Sequence, residues 1–373
     1  MLRWVWSLLL VPALTIAPVG GIAAPDSAPT AAQRARSAYS AMSTAQRLGQ
    51  LFMLGVPSTG APRAQLAALE KGAAGSVFLT GTTMQGAART ARVTAALTKA
   101  LTVKGARPFI ATDQEGGLVQ RLKGAGFSAI PTALTQGASA PAALEKNAAT
   151  WGRQLRAAGV NVDLAPVADV VPAATGVKNA PIGSLQREFG YTTPSVAPHV
   201  AAFAAGVRSA GVQATLKHFP GIGHASGNSD TTAVTTAPVT RHDTRLAAFA
   251  RGISAGAQFV MVASTQYPKI QAGVPACFSK TIVTGILRGD LRFAGIIVSD
   301  SFDAAAISGV PVAQRAVRFL EAGGTLVLDA HAAHLAAMEQ GVAAQMKKSA
   351  RFAALVTKAV LLVLTEKARD GLL

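Results

Sequence analysis

A single cysteine, Cys277, occurs in the 373 residues. No intrachain disulfide can form, so the fold must rest on its apolar core. The same scarcity removes cysteine-rich metal sites, and neither an HExxH pair nor EF-hand spacing takes their place. No metal and no other cofactor is expected. Acids are scarce too, with 18 Asp and Glu against 35 Lys and Arg and a formal charge of +17. That balance is a deficit of carboxylates rather than a basic run. No Lys/Arg cluster with interleaved aromatics is present, which argues against a nucleic-acid partner. The bland consequence is a cationic surface suited to an anionic cell envelope. GxxxxGK[ST], a strand-following GxGxxG and a GxSxG elbow are also missing, which argues against nucleotide cradles and against a serine hydrolase.

Long apolar runs are absent beyond the N-terminus. There Arg3 precedes an apolar stretch from Val5 to Ile22, interrupted by Pro12 and Pro18 and leaving through Gly21-Ile22-Ala23-Ala24. Residues 1–23 read as a secretory signal peptide, followed by an Ala/Pro/Ser-rich linker over residues 24–40. The prolines and the small-residue exit weigh against a retained membrane anchor. With no cysteine near the cleavage point, lipid attachment there is excluded. The expectation is a secreted or extracytoplasmic protein without stable membrane insertion after cleavage, and a monomer is favoured.

What the chain does have is an apolar half, 50% of its residues, and only 14% charged ones. A large core is within reach, and disorder is not expected beyond the N-terminus. Short apolar runs read as strands at Gln50–Val56, Gly75–Leu79, Pro108–Thr112, Val160–Pro166, Val212–Lys217, Phe259–Ser264, Gly295–Ser299 and Thr325–Leu328. Between them lie helical patterns at Arg63–Lys71, Ala87–Leu101, Ala142–Ala158, Pro194–Ala210, Thr240–Ala255 and Lys280–Arg288. Eight β/α units predict a single-domain α/β fold, a (β/α)8 TIM-type barrel over residues 41–373, rather than an open doubly wound sheet.

Barrels of this kind carry their chemistry at the C-terminal ends of the strands. Polar residues collect there: Asp113 and Glu115 after the third run, Asp169 after the fourth, and Lys217 with His218 at the fifth. Ser264 and Gln266 follow the sixth, Asp300 and Asp303 the seventh, Asp329 and His331 the eighth. Asp163 and Asp169 are expected to hydrogen-bond backbone groups and shape the rim. Lys217, at the end of a buried strand, requires a carboxylate or a ligand hydroxyl as partner. Asp303 is expected to cap or support the helix that follows. A pocket of carboxylates with one lysine, histidines and arginines suits a neutral polyhydroxyl compound. Glycoside hydrolysis needs one carboxylate as nucleophile or base and a second protonatable group as acid.

The segments GQLFMLGV, TDQEGGLVQR, NVDLAPVADV, PIGSLQREFG, KHFPGIG and FSKTIVTGILRGDLRFAGIIVSDSF resemble glycoside hydrolase family 3. They occur in family order over about residues 40–335, and the likeness is to the single-domain bacterial β-N-acetylhexosaminidase branch. The resemblance implies that Asp113, Arg121, Arg187, Lys217 and His218 bind the terminal sugar. It also implies that Asp300 is the nucleophile of a retaining mechanism with a glycosyl-enzyme intermediate, and that KHFPG makes an unusual turn with a cis bond at Phe219-Pro220. Arg121 and Arg187 have a second reading, as rim ion pairs with Glu115 or Glu188.

The acid/base loop departs from the family pattern. Where the branch has Asp-Ser-His or Asp-Thr-His, this chain has Asn228, Ser229 and Asp230. Asp230 is a candidate proton donor, its carboxyl kept protonated by burial and by proximity to Asp300. His224 in the same loop is a weaker alternative. Release of N-acetylglucosamine from cell-wall or chitin-like oligosaccharides is the expected activity. A catalytically weak carbohydrate-binding protein on the same fold and a β-glucosidase-like specificity stay open as alternatives.

Overall fold

The computed structural model describes residues 1–2 and 28–373 except residues 226, 235 and 237. The signal-peptide expectation, beyond its first two residues, falls outside those described. Eight parallel strands form one sheet: β1 (Phe52–Pro57), β2 (Ser76–Thr80), β3 (Phe109–Thr112), β4 (Val162–Asp163), β5 (Gln213–Phe219), β6 (Phe259–Val262), β7 (Ile296–Ser299) and β8 (Val327–Asp329). Each pairs with its neighbour in chain order, and β8 returns to β1 with Phe52 opposite Val327. A bridge between Val298 and Leu326 joins β7 to β8 and closes the barrel. Burial on both faces explains the near-continuous apolar runs of these strands.

The expected strands are all present. β4 is much shorter than its apolar run, because Pro166 has no N–H to give the ladder; beyond it Leu164 N–H reaches Thr112 O at 2.8 Å on one side, and Ala165 O accepts Thr215 N–H at 2.8 Å on the other. Helices occupy Arg63–Lys71, Gly86–Leu101, Pro141–Ala157 and Thr193–Ser209, within a residue or so of expectation. The helix expected from Thr240 begins only at Leu246, since Asp243 Oδ1 takes the Arg245 N–H at 2.9 Å and holds a turn. Thr281–Asp290 is wound as a π-helix, which apolar spacing does not reveal.

The linker expectation is corrected in part. Ala31–Ala41 is a helix, opened by a capping box between Thr30 and Gln33. Its alanines favour helix, and Ala35 and Ala38 are buried. It packs on the C-terminal helix Ala350–Arg369, where Arg34 donates to Ala368 O at 2.7 Å and Tyr39 meets Thr357 at 3.3 Å.

Inside the barrel, Phe109 and Phe259 meet edge to face at 5.3 Å, among Met53, Phe78, Met261 and Leu328. The lower end is closed by the C-terminal segment, with Val363 and Leu372 in the same cluster. Among the described residues, no helix is long and apolar enough to cross a membrane. The other end is open, and there the strand-end residues converge.

Candidate active site

The loop after β3 is shaped before it binds anything. The side chain of Gln114 clasps Leu122, donating to its carbonyl at 2.8 Å and accepting its N–H at 3.0 Å. Gly116 has φ of +113°, and a Cβ there would fall 2.1 Å from Pro131 O, so only glycine fits this turn. The folded ribbon points Asp113 and Glu115 toward the end of β5.

Lys217, buried near the end of β5, has Nζ 2.6 Å from Asp113 Oδ1 and 2.5 Å from Glu115 Oε1. Glu115 also receives both arms of Arg187, each at 2.8 Å, and Arg187 adds a bond to Pro181 O at 2.8 Å. Burial alone would raise the Glu115 carboxyl, but Arg187 and Lys217 outweigh it and hold it down at about 2. Burial likewise opposes charge on Lys217, and the carboxylates of Asp113 and Glu115 reverse that, so its ammonium is raised above the usual range. Two cations and two carboxylates make an internally neutral quartet, suited to a ligand rich in hydroxyls rather than in charge.

Asp169 fixes the next group. Its Oδ2 accepts His218 Nδ1 at 2.8 Å and His218 N–H at 3.2 Å, while Oδ1 accepts Ile222 N–H at 2.7 Å. Nδ1 therefore carries the proton, and Nε2 is the ring nitrogen left for a ligand. Asp163 accepts Gln114 N–H at 3.0 Å, and burial raises its carboxyl to about 8, so it is neutral at pH 7. Both aspartates serve backbone geometry, as expected. The Phe219-Pro220 bond is cis, again as expected, and so are Lys217-His218 and Ala165-Pro166.

Asp113, Arg121, Arg187, Lys217, His218, Asp230 and Asp300 all line one cleft of about 420 Å³ at the open end of the barrel. Phe78, Leu164, Met261 and Leu328 form its apolar floor. Residues 43–365 match the family described as glycosyl hydrolase family 3 N terminal domain. The chain belongs to glycosyl hydrolase family 3. A beta-hexosaminidase of Xylella fastidiosa strain 9a5c is 36% identical over 294 residues, 75% of this chain and 83% of that one. The crystal structure of a beta-N-acetylhexosaminidase from Beutenbergia cavernae superposes with a TM-score of 0.85 at 44% identity, covering 87% of this chain and 98% of that one. A family 3 beta-N-acetylglucosaminidase from a Paenibacillus species gives 0.78 at 27%, covering 88% and 63%. This family 3 chain is thus a glycoside hydrolase acting on an O-glycosyl bond.

Asp300 and Asp230, two carboxylates of this cleft, sit on different supports. Asp300 follows β7 directly, its N–H on Val262 O at 2.9 Å and its Oδ1 accepting Ser301 N–H at 2.9 Å. Asp230 rides on the loop after β5. Asn228 Oδ1 takes its N–H at 3.0 Å, so this amide shapes the turn. The loop is docked on the segment after Asp300: Asp230 O accepts Ala305 N–H at 3.2 Å and Ser229 O accepts Ala306 N–H at 3.1 Å. The Asp230 side chain is open to solvent at the cleft mouth, yet surrounded by protein walls. That crowding first, and then the charge of Asp300, raise its carboxyl to about 6.

His224 is not brought into the cleft. Gly223 lies against Val170, and the loop turns the imidazole toward Arg245 in a small separate cavity. Burial and the Arg245 guanidinium lower its pKa, which suits an acceptor and not an acid. Asp303 does not cap the short helix Ala305–Ile307; it accepts the Ser301 hydroxyl and lines the cleft. The part of Glu115 in joining Lys217 to Arg187 was missed by sequence reasoning, which paired it with arginines only. Its signal was the demand of buried Lys217 for a carboxylate, with Glu115 two residues from Asp113. Arg121 lines the cleft without a side-chain hydrogen bond to any described residue.

Proposed function

We propose that this family 3 enzyme is a retaining exo-β-N-acetylglucosaminidase in which Asp300 is the nucleophile and Asp230 the acid/base. The observation that carries the reading is a pair of unlike carboxylates in one cleft. Asp300 is fixed at a strand end, while Asp230 faces it from a docked loop with its proton retained to about pH 6. Retaining hydrolysis asks for such a pair, one group ionised to attack the anomeric carbon and one protonated to release the leaving oxygen. The neutral quartet of Asp113, Glu115, Arg187 and Lys217, with His218 Nε2, supplies donors and acceptors for the hydroxyls of a terminal sugar. A closed floor and a volume near that of one or two sugars favour removal of the terminal residue. The N-acetylglucosamine preference is supported by the names of the similar proteins, and an extracytoplasmic location by the character of residues 1–23.

The test uses aryl glycosides of N-acetylglucosamine and glucose. Asp300→Asn should lower kcat by several orders of magnitude, and a trapped glycosyl-enzyme should map to Asp300. Asp230→Ala should slow poor leaving groups by about 10²- to 10⁴-fold and activated ones far less. Equal loss for all leaving groups would remove Asp230 from this role. Sugar binding with no turnover in the wild type would establish a binding protein instead, and preference for glucosides a β-glucosidase.

A further inference from the structure

Asn179 follows the short helix Gly176–Lys178 in the segment between β4 and β5, and it is fully buried. It does not line the cleft. Its side-chain amide nevertheless bonds to two segments that do. Oδ1 accepts the N–H groups of Ile182 at 3.0 Å and Gly183 at 3.1 Å, while Nδ2 donates to Ile222 O at 3.0 Å and to Ala225 O at 3.4 Å. Two N–H donors on one side and two carbonyls on the other allow one orientation of the amide and use its full capacity. An apolar side chain could fill the same space. A fully satisfied buried amide instead fixes one geometry of its neighbours.

Each side of the amide leads to a residue of the cleft. Ile182 O accepts the backbone N–H of Arg187 at 3.2 Å and Pro181 O accepts its Nη1 at 2.8 Å, so Arg187 rests on the stretch that Oδ1 holds. Ile222 and Ala225, held by Nδ2, open the loop that runs on to Asp230. Ile182, Ile222 and Ala225 also share a small apolar cluster with Val171 and Val234. Among the described residues, no other hydrogen bond joins residues 176–190 to residues 221–245. We propose that Asn179 is a positioning residue for both halves of the reaction, setting the stretch under Arg187 and the loop of Asp230 in one fixed relation. Seating of the terminal sugar and delivery of the leaving-group proton then depend on one amide that touches neither. This rests on the reading of Arg187 as a sugar-holding residue and of Asp230 as the acid/base.

Two substitutions separate the halves. Asn179→Ser keeps a hydroxyl that accepts the Ile182 N–H three residues on, as serine does at a helix start, but it is too short to reach Ile222 O and Ala225 O. Asn179→Ala loses both sides. With aryl N-acetylglucosaminides, Asn179→Ser should keep KM and the inhibition constant of N-acetylglucosamine within about twofold of the wild type, while kcat falls about tenfold for poor leaving groups and little for activated ones. Asn179→Ala should add a rise of about tenfold in KM and in that inhibition constant. If Asn179→Ala does not fold, Asn179→Ser decides alone. A merely structural role would lower the melting temperature and leave the kinetics of the folded enzyme unchanged, or cut kcat equally for all leaving groups; either result overturns the proposal. Asp230→Ala is measured beside them. Leaving-group selectivity in Asp230→Ala with none in Asn179→Ser overturns the role of Asn179 alone, whereas equal loss for all leaving groups in Asp230→Ala overturns the assignment of Asp230 and the proposal with it.

Discussion

Glu115 is the residue on which the buried ion-pair quartet turns. One buried carboxylate serves two buried cations, and among the described residues the second carboxylate is the partly exposed Asp113, which pairs with Lys217. Glu115→Gln keeps the shape and removes the charge, leaving two cations facing one carboxylate. Breaking a buried pair in this way costs about 3–5 kcal/mol. The variant should melt lower than the wild type and show a higher KM with a smaller change in kcat. The pH dependence has a definite sign. A carboxyl lowered from 4.5 to about 2 stabilises the fold fully above 4.5, and this contribution is lost as pH falls toward 2. The stability gap between wild type and Glu115→Gln, measured by urea unfolding, should be widest above pH 4.5 and narrow progressively as pH falls from 4.5 toward 2. Lys217 was legible in the sequence as a cation in need of a partner. Which carboxylate would meet it was not, because Asp113 and Glu115 alternate along a ribbon whose turn is set by Gly116 and Gln114.

The loop from Gly221 to Arg245 shows what an element adds. The motif KHFPGIG that leads into it places Lys217 and His218 near the end of β5, and their position follows from strand-end logic alone. Which face of the loop Asp230 and His224 would present does not follow, because backbone contacts to Val170 on one side and to Ala305 and Ala306 on the other decide it. The helix starting at Ala31 was hidden for a related reason: Ala, Ser and Pro together look like a linker, whereas Ala35 and Ala38 alone mark a buried stripe. The docking of the Asp230 loop can be loosened without touching a side chain. Ala304 is extended, with ψ of 137°, and Ala305 opens the short helix, so proline fits at 305. Ala305→Pro deletes the N–H that Asp230 O accepts, a bond worth about 0.5–1.5 kcal/mol. The melting temperature should change little. The kcat for poor leaving groups should fall about tenfold as the proposed proton donor loses its station, with KM near the wild-type value; unchanged kcat would show that the remaining Ser229 bond suffices.

At the scale of the whole molecule, the barrel separates an open, charged end from a closed, apolar one. The closure carries a single buried cation, Lys367. Its Nζ donates to Gln50 Oε1 at 2.7 Å and to Gly75 O at 2.6 Å, and stands 5.5 Å from the Phe109 ring. No carboxylate answers it among the described residues, and burial lowers it from 10.5 to about 7. Nothing in the sequence singled it out, because a lysine in a terminal helix ordinarily lies in water. Between pH 7 and 10.5 the unfolded chain binds a proton at this position that the folded chain does not. Stability should therefore rise with pH through that window, by up to about 1.4 kcal/mol per unit. The high net charge adds its own trend as repulsion fades toward the pI of 10.8, so the wild type alone cannot isolate the lysine. Lys367→Met removes the titration while keeping the apolar stem in place. Urea unfolding at pH 7 to 10 should give a flatter slope for Lys367→Met than for the wild type, with the difference growing steadily across the window. Parallel slopes would mean that Lys367 stays charged in its buried setting, held by carbonyl oxygens and the aromatic face alone.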